Sequence, residues 1–76
     1  MERIIKPGKI YRHFKGNRYL VLCIAMHTET LEDMVIYQDV SDKSKIYARP
    51  LEMFQSKVEK DKYPDVLQTY RFEELN

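Results

Sequence analysis

Nine consecutive residues, RYLVLCIAM at 18–26, limit the possible folds of this 76-residue chain more than any other stretch. In an extended strand, alternation puts Tyr19, Val21, Cys23 and Ala25 on one side and Leu20, Leu22, Ile24 and Met26 on the other. Both sides are apolar. Such a strand is either central in a sheet covered on both faces or bent so that it serves two halves of one core. The chain is long enough for one domain, over 1–76, and a domain this small buries only about 60% of its unfolded surface. The bent strand is therefore the expectation, with Cys23 facing inward as a small apolar residue.

The flanking sequence agrees. Helix-length periodicity is absent, and short runs rich in Tyr, Val, Ile and Phe alternate with turn signals. Residues 9–14 read as a first strand, with Tyr11 and His13 opposite Ile10, Arg12 and Phe14. Gly16 and Asn17 tolerate positive φ and predict a hairpin turn. HTETLED (27–33) interrupts with side chains that bond their own backbone, and MVIYQDV (34–40) resumes the strand pattern. After SDKSK, residues 46–49 form a short strand stopped by Pro50, which has no N–H to give a ladder. Pro50 to Phe54 reads as one helical or 3₁₀ turn, its Leu51 and Phe54 plugging one end of the core. Val58 suits a last short strand. The C-terminal extension, 60–76, stays open: Val66, Leu67 and Tyr70 have helical spacing, whereas YRFEEL suits an edge strand. The fold class is all-β, a small barrel of about five strands over residues 8–59 with one short helical turn.

Net charge is only +1, but it is segregated. Residues 1–18 carry six bases and one acid, 19–42 five acids and no base, and 43–62 six bases against three acids. Strands that neutralise one another explain part of this, and a basic surface for nucleic acid or an acidic peptide is the functional alternative. The single cysteine excludes an intramolecular disulfide and a cysteine-built zinc site. MERIIKPGK lacks the apolar run of a signal peptide, and no stretch is long enough to span a membrane, so a cytoplasmic setting without membrane partners is expected.

GKIYRHFKGNRYLVLCIAMHTETLEDMVIYQ, then ARPLEMF and a closing Arg71-Phe72, resembles a small bacterial domain family of unknown function, DUF1653. The resemblance covers roughly residues 8–59 and implies an SH3-like β-barrel. It implies no activity. Met26 stands where the family often has arginine, Tyr47 where it often has tryptophan, and residues 60–69 are longer than usual.

Chemistry-bearing residues are few. His13, His27 and Glu29 could together hold a divalent metal or serve a hydrolase, but their spacing is no metal signature and no nucleophile accompanies them. The alternative is that each histidine bonds a loop backbone. Arg49 suits a carboxylate or phosphate, or else pairs internally with Glu29 or Glu32; tyrosines beside basic residues suit a stacking platform or a peptide groove, or else fill the core with their hydroxyls at its rim. The expected site is therefore a shallow patch of Tyr11, His13, His27, Glu29, Tyr37 and Arg49. It would belong to a non-catalytic binding module, needing no cofactor, for a protein segment or nucleic acid, in a monomer or weak homodimer. The competing reading is a metal-binding or hydrolytic protein built on His13, His27 and Glu29.

Overall fold

The turn after His13 sets the first hairpin. The His13 carbonyl accepts from the Gly16 N–H (2.8 Å), and the His13 N–H donates to the Asn17 carbonyl (2.8 Å). Gly16 adopts φ 106°, a conformation that strains any L side chain. This turn joins β1 (Ile10–His13) to β2 (Arg18–Met26), the strand anticipated over the same nine residues.

A computed structural model describes residues 4–75. β3 (Asp33–Asp39), β4 (Ile46–Pro50), a one-turn helix α1 (Leu51–Phe54) and β5 (Phe72–Leu75) follow. The five strands form one antiparallel sheet in the order β4-β3-β2-β1-β5. The all-β class and the helical turn are as expected, but the fifth strand is Phe72–Leu75, paired to β1, and not the short strand expected at Val58, where only a Lys57–Tyr70 bridge forms. The barrel is not closed by hydrogen bonds: β4 and β5 are the two edges and do not pair. Side chains fill the gap between them. The Arg49 guanidinium lies 5.5 Å from the Phe72 ring centroid, and Phe72 stacks on Phe54 of α1 at 4.0 Å.

The core lies on the inner face of the curled sheet. Tyr11, Val21, Val35 and Tyr37 are buried there, together with Phe54 and Phe72. A β-bulge between Val21 and Cys23 changes which residues of β2 face it. Val21 opposes Tyr37 and Ile24 opposes Val35, so the inner parity passes from Tyr19 and Val21 to Ile24 and Met26. Cys23 instead opposes Ile36 on the outer face and is exposed, against the inward placement that plain alternation predicts. One extra residue in a strand inverts every side chain beyond it.

The outer face carries its own rows. Leu75, Ile10, Leu20, Gln38 and Ile46 lie side by side across all five strands. Cys23, Ile36 and Ala48 form a second row, and Ala25, Met34 and Pro50 a third.

Residues 60–70 form no helix despite the spacing of Val66, Leu67 and Tyr70, and Leu67 is 98% exposed. Polar bonds hold this segment: Lys60 donates to the Val66 and Gln68 carbonyls, and the Gln68 amide donates to the Arg12 carbonyl (3.0 Å). A single bridge joins Lys57 to Tyr70. Among the described residues, no helix is long and apolar enough to cross a membrane.

Candidate functional site

The end of β1 and the returning C-terminal segment enclose a pocket. The Phe14 N–H donates to the Arg71 carbonyl (3.0 Å), and the Arg71 N–H donates to the Ser56 carbonyl (2.9 Å). These bonds pin residues 56–71 against the first hairpin. The space between, about 370 Å³, is lined by His13, Phe14 and Lys15 from the hairpin and by Arg49 and Met53 from β4 and α1. Glu59, Lys62, Tyr63 and Arg71 complete it. Four permanent cations thus face one carboxylate.

Aromatic rings order the cations. His13 stacks on Phe14 (4.4 Å between centroids) and meets the edge of Phe72 (4.9 Å). Phe14 packs on Tyr63 at 4.9 Å. The Lys15 ammonium sits 5.9 Å and 5.7 Å from the Phe14 and Tyr63 centroids, and Lys62 sits 5.6 Å from Tyr63. Arg49 is held from below, where its Nε donates to the Tyr37 hydroxyl (3.2 Å). Arg71 has a distant ion pair with Glu59 (3.9 Å), while its buried Nε has no hydrogen-bond partner among the described residues. A buried donor left so is costly.

His13 feels this field directly. Its Nδ1 accepts from the Lys15 N–H (3.1 Å), which in the neutral ring leaves the proton on Nε2. Burial, followed by the charges of Arg49, Lys15 and Arg71, lowers its pKa from 6.5 to about 4. At neutral pH the ring is therefore an uncharged donor. The pocket lining as a whole carries a net positive charge.

The six residues expected to form one patch are distributed over three places. His13 and Arg49 share the pocket. Tyr11 and Tyr37, 1% and 5% exposed, belong to the core. The Tyr11 hydroxyl accepts from the Lys6 N–H (2.9 Å) and donates to Glu74 (3.4 Å), and that of Tyr37 positions Arg49. His27 and Glu29 lie at the other end of β2, in the turn to β3. There His27 Nδ1 accepts from the Glu29 and Thr30 N–H groups (3.2 and 3.3 Å), and the Leu31 N–H donates to the His27 carbonyl (2.8 Å). His27 is the cap of that turn, the backbone role weighed for it from sequence.

His13 and His27 are thus separated by the length of β2, about 25–30 Å at the usual rise per residue. Among the described residues no three His, Cys, Asp or Glu side chains are grouped to hold a metal. Sequence reasoning missed Phe14, Lys15, Lys62, Tyr63 and Arg71. The signal present was KDKY (60–63), two lysines followed by an aromatic, together with Arg71 of the closing Arg-Phe pair.

The chain matches the model of the family described as "Protein of unknown function (DUF1653)" over residues 9–74. No curated protein matches, and no solved structure matches.

Proposed function

The chain belongs to the DUF1653 family, whose description assigns no activity, and we propose that it is a non-catalytic binding module whose pocket receives a phosphate-bearing segment of single-stranded nucleic acid. The observation that carries this reading is the combination of Lys15, Arg49, Lys62 and Arg71 with the Phe14–Tyr63 ring pair in one pocket. Cations tracking phosphates beside rings on which bases stack are the two components of sequence-tolerant single-strand binding. The Arg71 guanidinium and the His13 Nε2 proton supply donors for one phosphate, and Tyr63 supplies a face for a base. A cytoplasmic, single-domain protein fits this role, the lone cysteine being consistent with a reducing setting.

The test is fluorescence anisotropy of a labelled single-stranded oligonucleotide at two salt concentrations. Binding should weaken with salt in proportion to the two or three phosphates neutralised, a log–log slope of about −0.7 for each. Lys15→Ala with Lys62→Ala, both exposed and therefore harmless to folding, should reduce affinity at least tenfold, and Tyr63→Ala should do likewise. Binding that ignores salt and survives both changes would sink the proposal. Tighter capture of an acidic peptide than of the oligonucleotide would reassign the pocket to a protein segment.

A further inference from the structure

An antiparallel sheet with a core on one side ordinarily presents polar residues on the other. Here the outer face is apolar across its middle. Ile10, Leu20, Cys23, Met34, Ile36 and Ile46 all point outward by register, and Gln38 is the only polar side chain in the three central rows. With strands about 4.8 Å apart and residues about 3.3 Å apart, these rows cover on the order of 300–400 Å². Cys23, Ile46 and Ala48 are exposed on it and Ile10, Leu20, Met34 and Ile36 half-buried, and the largest apolar patch of a small protein, of about this size, is often functional.

The charges bordering this face are of opposite sign at its two ends. At one end Arg12 and Arg18 stand directly opposite each other across β1 and β2. Like charges so placed repel. Glu73 faces Arg12 from β5, but among the described residues neither arginine has an ion-pair partner. The acids nearest that end serve the β3–β4 turn: Asp39 accepts from the Ser41 N–H (2.7 Å), and Asp42 accepts from Ser44 and pairs with Lys45. At the other end Glu29 and Glu32, exposed in the β2–β3 turn, also have no ion-pair partner among the described residues.

We propose that this face binds a second copy of the same chain. A two-fold axis lying in the interface at right angles to the strands reverses their direction. It therefore sets Arg12 and Arg18 of each copy against Glu29 and Glu32 of the other. The axis crosses β2 near Cys23 and β3 near Ile36, midway between the charged ends, so apolar rows meet at the centre. The alternative axis, parallel to the strands, would bring arginine to arginine. With the charged borders included, the contact reaches about 600 Å² per copy, at the lower end of specific interfaces, and the dimer is correspondingly weak. The pocket beside His13 opens on the inner side of the sheet and is left free, so this inference stands whether or not the pocket binds nucleic acid.

Sedimentation equilibrium under reducing conditions tests it. The apparent mass should rise from the 9.2 kDa of one chain towards twice that value with increasing concentration. Ile36→Lys, and separately Ala48→Glu at an exposed outer position, should hold the protein at monomer mass with an unchanged amide NMR pattern of the core. Arg18→Glu and Glu32→Lys should each weaken association at least tenfold, while an equimolar mixture of these two variants should restore it. A monomer at every concentration would overturn the proposal. So would association indifferent to both central variants, or a mixture no tighter than its components.

Discussion

Lowering the pH from 7 to 4 perturbs the pocket through His13. Its folded pKa is lowered to about 4 from 6.5, because the ring is half-buried and faces Arg49, Lys15 and Arg71. Between these two values the unfolded chain binds a proton that the folded chain refuses. Stability is therefore intact above about pH 6.5 and falls as the pH is lowered towards 4. Each unit of difference corresponds to about 1.4 kcal/mol, giving about 3 kcal/mol at most, and water reaching the half-exposed ring reduces this to about 1–2 kcal/mol. For a domain of this size that is a fall in Tm on the order of 5–10 °C. Carboxylates titrate in the same range, so the quantity to read is the difference between wild type and His13→Gln, whose amide can still accept from the Lys15 N–H. Thermal melts by circular dichroism at pH 7 and pH 4 supply it, and an NMR titration of the imidazole, assigned with His27→Ala, gives the pKa itself. A His13 that titrates at or above 6.5, or a variant whose pH dependence equals that of wild type, would refute the electrostatic account of the pocket.

Three further outcomes follow from the fold. Phe54 is fully buried and stacked on Phe72, so Phe54→Ala should cost about 3–5 kcal/mol, enough to unfold much of so small a domain in a urea titration. Leu31 holds φ 64° while 68% exposed, a left-handed backbone with no packing to offset its strain. Leu31→Gly should stabilise by about 0.5–1 kcal/mol, the strain relieved less the added freedom of the unfolded chain, and a lower urea midpoint would contradict this. Cys23 is exposed, so its thiol should react with an alkylating reagent in dilute native protein, and more slowly at concentrations where the outer face is covered.

Much of the fold is legible in the sequence because β propensity, turn chemistry and proline placement agree along the chain. β2 can be delimited to the residue, and Pro50 with Leu51 and Phe54 locates the helical turn. The bulge at Leu22 is not legible. An apolar residue stands at every position from 19 to 26, so no polar side chain marks where the alternation inverts, and plain alternation puts Cys23 on the wrong side. The candidate site is half legible. Arg49 and His13 can be found because they sit on strands whose inner parity is readable. His27 and Glu29 group with them only by their spacing of two, whereas the chain turns there and uses the imidazole as a cap. Lys62, Tyr63 and Arg71 escape because the helical spacing of Val66, Leu67 and Tyr70 points to an element that residues 60–70 do not form. Long-range backbone bonds, such as that from Phe14 to Arg71, bring them to the pocket.

The most direct test of the binding function is an amide NMR titration of the labelled protein with a short single-stranded oligonucleotide. Occupation of the pocket by a phosphate and a stacked base predicts saturable shifts at His13, Phe14, Lys15, Tyr63 and Arg71, accompanied by a rise in the His13 pKa as phosphate enters. Shifts confined to other surfaces, or none at concentrations that saturate the anisotropy curve, would contradict it.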